Sequence, residues 1–474
     1  MPKKEVRVLF YLFLLIIMTP GHTRKWQVGP GRPYQNPSAV ASLVGNGDTV
    51  EIDPVTYRDV CIWRANDLLL KGIGGKARLD ATGMSIAEGK AIWVIKGKNN
   101  TVEMIEFLGA ACPDQNGAGI RIEGSGLTVR NCYFHDNENG ILSGADSTSD
   151  ILIEYSEFGY NGYGDGYSHN IYIGHIRSFT FQHSYSHHAK VGHLVKSRAK
   201  NNRILYNRLT CESTGTSSYE IDLPNGGLSY IIGNLIHQGQ NTSNSTVISY
   251  GREGIASGYD TIIYLVNNTM VNNRSSFGSF IAQQSGTRSI LYNNIFYGGT
   301  RITNGGYHRG SNNWLPVGYT GADSLRRSVV GTDPKLKDPA NYDYRLDSSS
   351  ACIDSGIDPG IGLRPQYQYV HPCNREIRPL QGSYDIGAYE YIRVRIEEKT
   401  NHNRKGEEIG IRANPNPFIS WTKIQGCGVK PLTVYDVKGE MRRVYYGVKV
   451  GADLPPGVYF IKDKVGMLKI VKID

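Results

Sequence analysis

LTVRNCYF at residues 127–134 returns as ILIEYSEF (151–158) and FTFQHSYS (179–186). It continues as RILYNRLT (203–210), SYIIGNLI (229–236), IYLVNNTM (263–270) and SILYNNIF (289–296). Each copy is a β-rich run with Asn, Ser or Tyr ahead of its last apolar residue, and copies recur about every two to three dozen residues. Self-similarity at that period defines stacked coils, because a single coil cannot bury its own apolar face. Alternating residues point into a narrow core. Asn recurs at turns, where it tolerates left-handed backbone, and stacked Asn side chains can bond from coil to coil.

The bulk properties agree. The chain has 474 residues, 56 Gly and 31 Tyr, which suits many short strands separated by turns. A net charge of +9 favours acidic partners. No Lys/Arg run carries interleaved aromatics, so nucleic acid is not the expected partner. Lys3, Lys4 and Arg7 followed by VLFYLFLLIIM (8–18) read as an export signal, with the cut placed near Thr23. That apolar run is short for a membrane span, and no other stretch is long enough. Of seven cysteines, Cys352 with Cys373 is the preferred disulfide, and Cys112 with Cys132 is a second pairing.

Residues 38–57 read as an opening cap that leads into the strand TVEI, and coils are expected from about residue 68 to 296. DPKLKDPANYDYRLDSSSACIDSG (333–356) and DIGAYEY (385–391) close this part. The Gly47-Asp48 opening, the Asn-rich coils, the YRLDSSSACIDSG segment and DIGAYEY together resemble right-handed parallel β-helix proteins of the pectin-lyase-like superfold. The resemblance spans residues 34–391. It implies a fold and not a reaction, since that scaffold carries lyases, hydrolases, epimerases and proteins without known catalysis. Residues 392–410 read as a charged linker. ANPNPF (413–418), LPPGVYFIK (454–462) and the basic last strand resemble a C-terminal type IX secretion sorting domain. The expected organisation is therefore a signal peptide (1–23), a parallel β-helix solenoid (34–391), the linker, and a small C-terminal β-sandwich (411–474). The resemblance implies a bacterial protein exported across the outer membrane by the secretion machinery, then released or held at the cell surface.

Half of the 12 histidines fall between His169 and His193, in a stretch that continues through Lys190, Lys196 and Arg198. Aligning NIYIG, GHLVK and SYEID points Ile171, Ile173, His193, Val195, Tyr219 and Ile221 inward. Tyr172, Leu194, Lys196, Glu220 and Asp222 then face outward, with Lys196 one coil from Asp222.

Three chemistries fit such a face. The favoured one is β-elimination on an acidic, uronate-containing polysaccharide, which needs a tuned base and a cation beside the developing charge. Its catalytic candidates are Lys196, His188, Arg198, Lys190 and His187. Tyr172, Tyr185, His169, Glu220 and Asp222 would bind substrate. The second is glycoside hydrolysis with Glu220 and Asp222 as acid and base. The Asp pair of β-helix polygalacturonases and the Asp-Pro-His-Asp motif of alginate epimerases are both absent. The third is a metal site on His187 and His188 with His169 or Asp165. A divalent cation such as calcium is the only cofactor these readings leave open. The contrasting class is a monomeric, non-catalytic surface protein that binds polysaccharide as an adhesin.

Overall fold

The computed structural model describes residues 23–393, except 275–277, 300 and 320–323, and most strands between 412 and 472. The expected signal peptide up to residue 22, nearly all of the expected linker, and Cys427 lie outside the described residues. The chain forms two compact units divided after Arg393, each described by itself below.

The first unit is a right-handed parallel β-helix. Its strands fall into three long sheets of thirteen, twelve and ten strands among the described residues. Each coil contributes one strand to each sheet and stacks in parallel on the next. Leu127–Arg130 shows why: Leu127 and Val129 are buried, while Thr128 and Arg130 face out. The strand pairs with Asn100–Glu103 on one side and with Asp146–Glu154 on the other. Parallel crossovers are right-handed because a right-twisted strand packs back onto its sheet only that way. The coils run further than residues 68–296: Lys25–Val28 already pairs with Thr49–Ile52, and Val329–Gly331 closes the twelve-stranded sheet.

Two interior columns hold the stack together. Phe107, Phe134 and Phe158 lie ring on ring with centroids 4.8 and 4.7 Å apart, close to the spacing of adjacent strands. The polar column is the Asn of the repeat. Asn207, Asn234, Asn268, Asn294 and Asn313 are fully buried, and each accepts the backbone N–H of the residue one coil earlier. Immediately before them the chain turns through left-handed backbone at Tyr206, Asn267, Asn293 and Asn312.

Residues 333–391 fold back over the coils. The hairpin strands Tyr367–Val370 and Asn374–Ile377 belong here. Leu336, Tyr344, Tyr369 and Ile386 pack on Leu235, Val271, Ile295 and Trp314 of the solenoid. Arg378 and Glu390 form an ion pair at 2.7 Å within this layer, both almost wholly buried. Neither expected disulfide is present. Cys352 is buried in this second core and Cys373 lies beside the Tyr369 hydroxyl, and both are free, as are Cys112 and Cys132. Cys352 faces the second core while Cys373 lies in the turn between Tyr367–Val370 and Asn374–Ile377, so nearness along the chain does not bring the two thiols together.

Among the described residues the second unit has two antiparallel sheets of three and four strands. They enclose one core that includes Ile424, Leu432, Val434, Val450, Tyr459 and Ile461. This is a small β-sandwich.

Candidate functional site

The outer face of the ten-stranded sheet carries a ladder with one side chain per coil. Arg121, Leu142, Tyr172, Lys196, Asp222 and Ser249 are successive register partners. Alternation places them outward, because Ile120, Ile141, Ile171, Val195 and Ile221 fill the core beneath. Lys196 Nζ lies 3.2 Å from an Asp222 oxygen, as the alignment of coils requires. Two residues further on, Arg198 donates from Nε to the Tyr172 hydroxyl at 3.0 Å and from Nη1 to Asn225 at 2.5 Å.

One carboxylate closes the cluster. Glu253 places one oxygen 3.2 Å from Lys196 Nζ and the other 2.6 Å from Arg198 Nη2. Burial alone would raise the Glu253 carboxyl. The hydrogen bond from Arg198 and the charge of Lys196 outweigh it and hold the group below its usual range. Beside this cluster opens a cleft of about 560 Å³, lined among others by Arg121, Asp165, Tyr167, Tyr172, His175 and Arg198.

Two buried histidines support the face. His193 N–H donates to His169 Nδ1 at 3.0 Å, and Tyr219 N–H donates to His193 Nδ1 at 3.2 Å. A backbone donor at Nδ1 leaves Nε2 as the protonated nitrogen. That nitrogen of His193 lies 3.5 Å from Asp222. Burial, then the charge of Lys196, lowers His193 to about 3, and burial also pushes His169 well down. Both rings are neutral supports near neutral pH. Burial raises Asp222, with Lys196 opposing the shift.

The structure separates residues that stand together in sequence. His187 and Tyr185 belong to the twelve-stranded sheet, in strand Tyr185–His187, and His188 follows in left-handed backbone. There His187 Nε2 lies 3.2 Å from Glu157, and its ring stacks on Tyr185. His188 stacks on Tyr160 and meets the Thr214 hydroxyl. Lys190 is exposed in the following turn, 3.9 Å from Asp136. His183 sits in a third place, stacked between Tyr155 and Tyr206. These groups do not share a face with Lys196 and Arg198. One coil visits all three sheets within about 25 residues, so a cluster along the chain is spread around the helix.

The same geometry removes two expectations. A metal site on His187, His188 and His169 would need side chains from two sheets to converge. Among the described residues no group of three His, Cys, Asp or Glu side chains is arranged to hold a metal ion. The acid/base pair of Glu220 and Asp222 is also absent. Asp222 faces the cluster, but Glu220 is fully buried and accepts from Gln238 Nε2 at 3.2 Å. Strand alternation begins only at Ile221 in this coil, so Glu220 belongs to the preceding bend and turns in with Leu194. His193 correspondingly turns toward outward-facing Asp222, its ring tilted against that of Tyr219 at 5.1 Å.

Burial pushes the Glu220 carboxyl well above its ordinary value of 4.5. The fold therefore favours its neutral form. Its contribution to stability is fully present below 4.5 and is lost as pH rises through the folded value. Glu220→Gln keeps the shape and does not titrate. It is expected to match the parent in acid and to melt a few degrees higher at neutral and alkaline pH. Thermal melts across pH check this, and parallel curves for the two proteins would refute it.

Sequence reasoning missed Glu253, Asn225 and Arg121. Glu253 and Asn225 come from loops, where no period applies. Arg121 was detectable as the lone charge between Ile120 and Ile122 of an alternating strand.

No family model matches the chain, and no curated protein matches its sequence. Among solved structures it is similar to pectate lyase Pel9A, at 14% identity and a TM-score of 0.45. The alignment covers 78% of this chain and 96% of that one. That likeness concerns the course of the backbone and assigns no residue a role.

Proposed function

We propose that the protein binds an acidic polysaccharide on the ten-stranded face and cleaves it by β-elimination. The observation that carries this reading is the grip of Lys196 and Arg198 on one carboxylate, that of Glu253. A pair that holds a protein carboxylate at two points has the geometry to hold a uronate carboxylate in its place. Charge that develops on that group as the neighbouring carbon loses its proton would be met by the same two cations. Tyr172 is the group placed to exchange the proton. Its oxygen accepts from Arg198, and as the phenolate beside that guanidinium it serves as the base. In balance, the phenolate takes the proton next to the carboxyl, a carbon–carbon double bond forms as the carbon–oxygen bond to the leaving sugar breaks, and the proton passes from Tyr172 to the departing glycosidic oxygen. The export signal and the sorting-type C-terminal unit fit a secreted or surface-held protein of this kind.

The test is a screen of the full mature chain on polygalacturonate, alginate and glycosaminoglycans. Ultraviolet absorbance of unsaturated sugar ends is the expected outcome on at least one polymer. New reducing ends without that absorbance would replace elimination by hydrolysis. Binding with no new ends on any polymer would favour the adhesin.

A further inference from the structure

Lys196 and Arg198 are already matched by Asp222 and Glu253, so the spare positive charge on this face lies elsewhere. It lies at Arg121. This residue stands in the wall shared by the main cleft and a smaller one of about 220 Å³ that also reaches Lys90 and Cys112. Among the described residues no carboxylate is within ion-pair distance of Arg121, and its Nε is buried without a hydrogen-bond partner. The nearest acidic residues of the cleft do not quench it. Asp165 is turned back on its own loop by Tyr167 N–H at 2.9 Å and Ser168 Oγ at 3.3 Å, and Asp114, which lines both clefts, is not within ion-pair distance of Arg121. That nitrogen is closed to solvent, so a ligand in the cleft would meet the terminal nitrogens of the guanidinium, for which no carboxylate competes.

Tyr167, which is 87% exposed, lines the same cleft. It sits in the loop YNGYGDGY, whose Gly162, Gly164 and Gly166 all adopt positive φ. An exposed aromatic ring lining a polar cleft suits the apolar face of a sugar.

We propose that Arg121 and Tyr167 form an outer subsite that binds one oxyanion-bearing sugar of the polymer, away from the reacting centre. This rests on the acidic-polysaccharide reading above. Arg121 lies three coils from Lys196 along the ladder, or about 14 Å at the strand spacing. A single sugar does not span that distance, so the cleft takes a chain. The oxyanion is a uronate carboxylate or a sulfate ester, since a guanidinium offers the same paired donors to either.

The experiment is equilibrium binding to the full chain, with melting temperatures in parallel. The probes are polygalacturonate, its carboxyl-reduced neutral form, and a sulfated galactan without carboxylates. Arg121→Ala is expected to weaken binding of one charged polymer about tenfold or more. Arg121→Lys should recover part of that loss, and the neutral polymer should bind parent and variant alike. Arg121→Met keeps the aliphatic stem and serves if the Ala variant melts early. Tyr167→Ala should weaken charged and neutral polymers together. Which charged polymer depends on Arg121 separates carboxylate from sulfate. Unchanged binding in Arg121→Ala overturns the subsite, and so does an equal loss on charged and neutral polymers. Turnover that persists beside unchanged Arg121→Ala binding removes this inference alone. An Arg121-dependent affinity without turnover of any polymer removes the cleavage reading and leaves the subsite standing.

Discussion

Arg198→Ala is expected to lower turnover of the acidic polymer about a hundredfold or more, while His188→Ala stays within about threefold of the parent. Arg198 is the hub of the face. Its three nitrogens are directed at Tyr172, Asn225 and Glu253, so its loss removes a donor to developing charge and releases the Tyr172 hydroxyl at once. Lysine at this position is a poor substitute, because one ammonium cannot reproduce a planar fork aimed in three directions. The melting temperature should hold within a few degrees, since the pair with half-exposed Glu253 is worth about 1 kcal/mol or less. His188 follows a strand of the twelve-stranded sheet and sits against Tyr160 and Thr214, and it does not line the cleft. Initial rates of both variants, measured beside their melts, decide the matter. The reverse pattern would move the reaction to the Tyr185–His187 face.

The contrast between Arg198 and His188 shows what a repeat can reveal. The fold was legible because its cause is written in every coil: the same apolar positions face one core, and the same turn position takes left-handed backbone. Register was legible where strands are regular, which is why Lys196 meets Asp222 as aligned. It failed at Glu220 and His193, which lie in the bend before their strands, where alternation has not begun. The site was legible only in part for a different reason. Nearness along the chain was read as nearness in space, yet a coil passes through three faces before returning. The residues that complete the face, Glu253 and Asn225, come from connections whose lengths obey no period. The periodic part of the sequence builds the wall, and loops of irregular length furnish it.

Replacing Asn268 should be the most damaging single change to the solenoid. Its side chain is fully buried and bonded in both directions along the helix axis. Oδ1 accepts from the backbone N–H of Asn234 at 2.9 Å and from Asn234 Nδ2 at 3.0 Å. Nδ2 donates to the Ile231 carbonyl at 2.7 Å and to Asn294 Oδ1 at 2.9 Å. Asn268→Ala therefore strands the backbone N–H of Asn234 and takes a donor from the Ile231 carbonyl in a site closed to water, while Asn234 Nδ2 keeps the Ile204 and Ile232 carbonyls. Each orphaned group costs about 1–3 kcal/mol, so a total loss of about 2–6 kcal/mol is expected. Asn268→Ser should cost less. Earlier coils use Ser156 and Ser184 in this column, and a hydroxyl there still accepts the backbone N–H of the preceding coil. Asn268→Asp should be worst at neutral pH, because a buried carboxylate supplies acceptors where Ile231 and Asn294 need a donor. Urea unfolding of the β-helix transition measures the series, with stability falling in the order Asn, Ser, Ala, Asp. Acidification should recover part of the Asp deficit, as protonation returns one donor and removes the charge. A loss below about 1 kcal/mol for Asn268→Ala would mean that aromatic stacking and aliphatic burial hold the coils without the ladder.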